Sequence, residues 1–211
     1  MKIEQFVMAY QVEQDRLRAL LPEGYTSLRP VLRLNAEIRG AGEGRETFYL
    51  EYNTPVAAFG KRGWLNIAHW ESPETAVTCA RSGKSVTFQT PFLQITYTGV
   101  GLQGGCPAER DNDGCFFLAG PVPFRPAEAI DQKKEFCDCA FQWRFTPSDA
   151  QGVSVGGSSI PALPTPPEKT YARQPLSPQA AAAIQCEQIL GAYTVAFTRE
   201  RNPSWAPFCR G

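Results

Sequence analysis

The chain has 211 residues, 43% of them hydrophobic, which suits one domain over residues 1–211 with a real core. Lysine plus arginine equals aspartate plus glutamate at 21 each, so no long-range field draws nucleic acid or anionic lipid. No apolar run reaches membrane-spanning length and the first residues lack the apolar core of a signal peptide, so the cytoplasm is the expected compartment.

Residues 10–39 carry the clearest local signal. Leu17, Leu20 and Leu21 recur at helical spacing while Asp15, Arg16 and Arg18 form a wet face, predicting a helix over 15–21. Pro22 stops it, because the residue before a proline is pushed out of the helical region, and Gly24 frees the turn. After Pro30 the period changes to two. Leu32, Leu34, Ala36 and Ile38 point one way; Arg33, Asn35, Glu37 and Arg39 point the other. That polar row faces either water or a cavity.

From Thr47 onward the pattern is mainly strands. Residues 47–56 and 63–70 are rich in aromatic and branched side chains, with a hairpin connection expected over Phe59–Trp64. Segments 77–80 and 85–88 flank Arg81-Ser82-Gly83-Lys84, a second hairpin, and 92–101 alternates cleanly. Asp111 to Gly114 has part of a calcium-loop pattern but lacks its remaining ligands, which makes it a turn. A strand resumes at Cys115, a short helix is expected within 125–136, and a strand over 136–145. Residues 146–178 form a long irregular Gly/Pro-rich stretch. Ser177 with Pro178 then predicts a capped helix running to Leu190 and closed by Gly191, followed by a last strand over 192–200. The expected fold class is mainly β (α+β): an antiparallel barrel-like or double-sheet domain enclosing a cavity, with two or three short helices.

Chemistry is constrained by what the chain lacks. Its seven cysteines are an odd number with no C-x-x-C pair, so neither a disulfide framework nor a metal site is expected. The single histidine, His69, lies in an apolar strand context and is expected to be a packed residue rather than a catalytic base. No phosphate-cradling glycine loop is present, and no cofactor is implied. There are six lysines, at positions 2, 61, 84, 133, 134 and 169. A catalytic lysine needs burial or a neighbouring cation to hold free amine at neutral pH. Lys61-Arg62 and Lys133-Lys134 put cations side by side; each pair also suits a solvated hairpin tip or helix face.

The opening stretch resembles the acetoacetate decarboxylase family and its broader superfamily over roughly residues 1–100. The matching pieces are Phe6 to Tyr10, the helix Asp15 to Leu21, Leu21-Pro22-Glu23-Gly24, Arg29 to Leu34, then Glu51 and Pro55 to Leu65. The resemblance implies a β-rich domain around an apolar cavity, commonly in a homo-oligomer. It implies a cavity lysine that forms a Schiff base with a β-keto acid, the imine acting as electron sink as carbon dioxide leaves. Carried over by position, it makes Glu51 the conserved acid, and one alignment makes Lys61 the catalytic amine with Arg62 as the nearby cation. A better spacing match leaves Gly60–Trp64 as an ordinary hairpin and shortens the catalytic segment to residues 71–84. Arg33, Asn35, Glu37 and Arg62 are the candidate substrate-binding residues. Asn35 departs from the family, which has an acid there, and Lys84 is the other amine near the expected segment.

Three functions stay open. The first is a decarboxylase-like lyase acting on a small β-keto or related organic acid through Lys61 or Lys84. The second is a related enzyme that keeps the cavity but not the catalytic lysine, with Arg33, Glu37 and Glu51 as its polar groups. The third is a non-enzymatic binding domain whose cavity holds an apolar or acidic small molecule without turning it over.

Overall fold

A computed structural model describes residues 1–102, 115–118, 125–126, 137–146, 151–155 and 169–198. In chain order these form β1 (Lys2–Val12), α1 (Gln14–Leu20), β2 (Thr26–Ser27), β3 (Val31–Arg39), β4 (Thr47–Ala58) and β5 (Lys61–Glu71). Then come β6 (Thr78–Ser82), β7 (Ser85–Gln89), β8 (Leu93–Leu102), β9 (Cys115–Leu118) and β10 (Arg125–Pro126). The rest are β11 (Cys137–Phe145), β12 (Gln151–Val155), α2 (Pro178–Ala182) and β13 (Cys186–Thr198). The expected mainly-β, double-sheet class is what the chain adopts, with two short helices among the described residues. None of these helices is long and apolar enough to cross a membrane.

The larger sheet runs β10-β9-β5-β4-β3-β1-β13, with β2 pairing on β4, and curls into a half-barrel. The smaller sheet runs β12-β11-β8-β7-β6. Neighbours are antiparallel except β5 and β9, which are parallel. Bulges in the β1–β13 pairing and between β4 and β5 at Tyr52/Asn53 locally increase strand twist and bend.

Strand alternation decides what lies between the sheets. Phe6, Met8 and Tyr10 of β1, Leu32, Leu34, Ala36 and Ile38 of β3, and Leu50 and Tyr52 of β4 all enter one core with Phe88, Ile95, Phe141, Trp143 and Phe145 of the second sheet. Aromatic pairs bridge the layers. Phe6 meets Phe88 at 5.4 Å between ring centroids, and Tyr10 stacks on Trp143 at 5.5 Å. Each such pair contributes about 0.5–1.5 kcal/mol beyond its area. A separate small cluster of Leu21, Val56, Ala58, Leu65 and Phe117 sits at the β4–β5 hairpin end.

The helix–stop–strand sequence behaves as its residues dictate. Leu17 and Leu20 of α1 are buried, and Leu21 leaves the helix in an extended conformation ahead of Pro22. Gly24 follows with a positive φ of 85°.

Four expectations are corrected. The β4–β5 connection is shorter than Phe59–Trp64: Lys61 and Arg62 already pair with Ala58 and Ala57, leaving only Phe59 and Gly60, both at positive φ, in the turn. The helix begun by Ser177 ends at Ala182, although the cap is real: Ser177 Oγ accepts from the Ala180 amide at 3.1 Å. From Cys186 the chain pairs with β1, so Cys186–Leu190 is strand, and sheet hydrogen bonds override the helical propensity of that segment. Gly191 lies opposite Ala9 within β13 instead of closing a helix. The irregular stretch contains a strand, β12, and the segment expected to be helical opens with the short strand β10. The Asp111–Gly114 turn, Lys133-Lys134, the rest of the 125–136 helix and most of 146–168 lie outside the described residues.

Candidate functional site

The face of β3 turned away from the apolar core holds Arg33, Asn35 and Glu37, and all three are buried. The polar row does not face water. Its neighbours follow from register: Asn35 sits opposite Glu51, Arg33 opposite Asn53 and Glu37 opposite Tyr49 on β4, while β1 presents Gln5 opposite Glu37. On β5, His69 lies opposite Glu51 and Asn66 opposite Asn53. Four strands thus place one row of polar side chains on one face.

Glu51 is the centre of this row, only 3% exposed. Asn35 Nδ2 donates to its Oε1 at 2.8 Å, and Tyr49 Oη donates to its Oε2 at 2.7 Å. Arg33 Nη1 is 3.6 Å from Oε1, and the Arg33 guanidinium lies over the Trp64 ring at 4.7 Å. Both carboxylate oxygens are therefore fixed, one by an amide and a cation, the other by a phenol. Burial first, then the Glu51 charge and its hydrogen bond, push the Tyr49 phenol well above its ordinary range. Tyr49 is thereby kept protonated and remains a donor.

A second carboxylate lies along the same row. Glu37 accepts from Gln5 Nε2 at 3.1 Å and from Arg39 Nε at 2.7 Å. Arg39 also pairs with the half-buried Glu71 and lies over the Tyr49 ring at 4.1 Å. On the other side, Asn66 bridges Asn53 Oδ1 at 2.9 Å and His69 Nδ1 at 3.0 Å, and the His69 ring lies alongside Tyr49. His69 is a half-buried strand residue within this polar network.

At 3.6 Å the Arg33–Glu51 attraction is about 4–5 kcal/mol at an effective dielectric of ~20. Desolvation costs several kcal/mol for each ion, so the pair roughly breaks even in net stability while a carboxylate and a guanidinium are held out of water.

The remaining sequence candidates lie elsewhere. Lys61 and Arg62 are exposed at the start of β5, beside the turn and outside the Glu51 network. Lys84 is exposed on the lip of an open cleft of about 280 Å³, where Arg81 pairs with Glu4 at 2.9 Å. Lys2 and Lys169 are also exposed. Between the sheets, the space lined by Phe6, Leu34, Leu50, Phe88 and Phe141 is wholly apolar and too narrow for water. No group of three or more metal-ligating side chains occurs among the described residues.

Sequence reasoning missed Gln5, Tyr49, Asn53, Asn66 and the role of His69. Tyr49, Glu51 and Asn53 alternate along β4 as clearly as the β3 row does, so their common face was readable; their meeting with β3 depends on pairing.

No family model and no curated protein matches the sequence. Solved structures do match in fold. The acetoacetate decarboxylase of Legionella pneumophila superposes with a TM-score of 0.54 at 11% identity, covering 93% of this chain and 81% of that one. A second acetoacetate decarboxylase structure gives 0.51 at 12% identity, covering 92% of this chain and 84% of that one. At such identity the likeness establishes the fold: this chain has the acetoacetate-decarboxylase-like architecture.

Proposed function

We propose that the chain is an acetoacetate-decarboxylase-like enzyme that binds and acts on a small organic acid, β-keto or related, at the buried Arg33–Glu51 row. The observation that carries this is the buried Glu51 carboxylate held on three sides by Asn35, Tyr49 and Arg33. Arg33 supplies the fixed positive charge that recognises an acid or a developing oxyanion. Glu51 is the proton carrier, oriented by donors on both oxygens. In a site shielded from water such fixed charges act more strongly than they would in solvent.

Schiff-base chemistry has a separate requirement, an amine at this row. The resemblance assigns that amine to Lys61, which is exposed and outside the row. The geometry therefore favours acid handling by Arg33 and Glu51 without Lys61 as nucleophile.

Two measurements divide these readings. Calorimetric titration with short carboxylic acids should show binding to the native chain and its loss in Arg33→Met, with circular dichroism confirming the fold; no binding by any short acid refutes the site. Borohydride reduction with a keto acid, followed by peptide mass mapping, tests the lysine. An adduct on Lys61 would refute the lysine-free reading, and an adduct on Lys133 or Lys134 would relocate the nucleophile.

A further inference from the structure

The hydrogen-bond inventory of the buried row is lopsided. Asn35 spends its amide nitrogen on Glu51, and its Oδ1 is buried with no hydrogen-bond partner among the described residues. Gln5 repeats the arrangement: Nε2 goes to Glu37 while Oε1 is buried without a partner. Both residues are 4% exposed. They sit on adjacent strands and one face, Gln5 opposite Glu37 and Asn35 two residues back along β3. Such diagonal neighbours are about 7–8 Å apart, within the span of one small molecule. A buried acceptor left without a donor is costly, and two on one face suit a ligand that brings its own donors.

The row pairs Glu37, Glu51 and Glu71 with Arg33 and Arg39. An acid that also carries a hydroxyl or ammonium offers the amide oxygens a donor, which a bare carboxylate does not. A protein donor complements this, since Asn53 Nδ2 is likewise buried without a hydrogen-bond partner among the described residues, opposite Arg33, and can meet a carboxylate oxygen.

We infer that the acid recognised at this row carries its own N–H or O–H donor: it is a small hydroxy or amino acid, selected by Asn35 Oδ1 and Gln5 Oε1. This rests on the Arg33–Glu51 site proposed above and narrows its substrate class. Neither Asn35 nor Gln5 is assigned a reacting role; both set specificity.

Four four-carbon acids that differ only at carbon 3 test it by calorimetric titration of the native chain: butyrate, acetoacetate, 3-hydroxybutyrate and 3-aminobutyrate. The hydroxy or the amino acid should bind about ten-fold or more tightly than butyrate and acetoacetate, the size of one satisfied buried hydrogen bond. Asn35→Ala and Gln5→Met should each shrink that preference, read as the ratio of hydroxy- or amino-acid affinity to butyrate affinity within the same variant. The native panel decides even where a variant fails to fold. Equal binding of all four overturns the inference and leaves the acid site standing. Binding of none overturns the site itself, and the inference with it.

Discussion

Replacing Arg33 by methionine keeps most of the side-chain length but removes the guanidinium. Glu51 is then left 3% exposed with Asn35 and Tyr49 as its remaining named donors, and the cation over Trp64 is lost. Removing one member of a buried ion pair typically costs about 3–5 kcal/mol, because the surviving charge stays desolvated. For a chain of this length each kcal/mol moves the melting temperature by about 2–4 °C, so a fall of roughly 6–20 °C is expected. The companion change Glu51→Gln removes the stranded charge and keeps an oxygen for Asn35. The double variant should therefore recover at least half of the loss. Urea unfolding followed by tryptophan fluorescence, run as a double-mutant cycle, reads both quantities. A single variant within about 1 kcal/mol of the native chain, or strictly additive losses, would refute a coupled buried pair.

Other expectations follow from the same geometry. Tyr10 and Tyr52 share a 2.6 Å hydroxyl contact in the core, so Tyr10→Phe should cost about 1–3 kcal/mol and Tyr10→Phe/Tyr52→Phe less than twice that, checked by thermal melts. Burial raises Tyr10, Tyr49 and Tyr52 above the ordinary phenol value of 10.0. The unfolded chain then releases these protons first, so their stability contribution is complete below 10.0 and lost as pH climbs through the raised values. Phenolate absorbance of these tyrosines should appear together with loss of circular dichroism, and appearance in the folded chain would contradict it. Residues 169–177 are pinned to α1 through Glu13, whose carboxyl is drawn below 4.5 chiefly by the Tyr171 hydroxyl at 2.6 Å and then by Lys169. That contribution is present above 4.5 and lost as pH falls through the lowered value, so limited proteolysis of this segment should accelerate there, and Glu13→Gln should do so at neutral pH. Gly40 has φ +74°, and a Cβ there would stand 2.8 Å from the Arg45 carbonyl oxygen. Gly40→Ala should cost at least ~1–2 kcal/mol in denaturant titration, more than Gly42→Ala, whose Cβ meets nothing within 4 Å.

Local chemistry was readable from the residues wherever one element decides the outcome. Pro22 and the three leucines define where α1 stops, and the period-two text of β3 separates its two faces. Which face would be wet was not readable, because burial of Arg33 and Glu37 depends on partners supplied by β1 and β4. The same limit misplaced the end of α2: four alanines favour a helix locally, but β1 offers Cys186–Leu190 a ladder of sheet hydrogen bonds. Lys61 shows a different gap. A cation pair in sequence carries no information on burial, and the tight Phe59-Gly60 turn leaves both cations at the surface. Glu51 is marked in the sequence by the resemblance alone; its fixing by Tyr49 depends on how the two side chains fold onto one face of β4.

The interleaving of β3 has a consequence for how this protein can change. From Leu32 to Arg39 its even-numbered residues are written for oil and its odd-numbered ones for a buried polar network, on a single ribbon. A one-residue insertion or deletion within residues 31–39 exchanges the two messages, turning guanidinium and carboxylates into the apolar layer and leucines into the row. Length variation is therefore forbidden there, while substitution is free to act on alternate letters. An engineer can rewrite Arg33, Asn35 and Glu37 as a set to change the polar row and leave Leu32, Leu34, Ala36 and Ile38 to keep the sheets together.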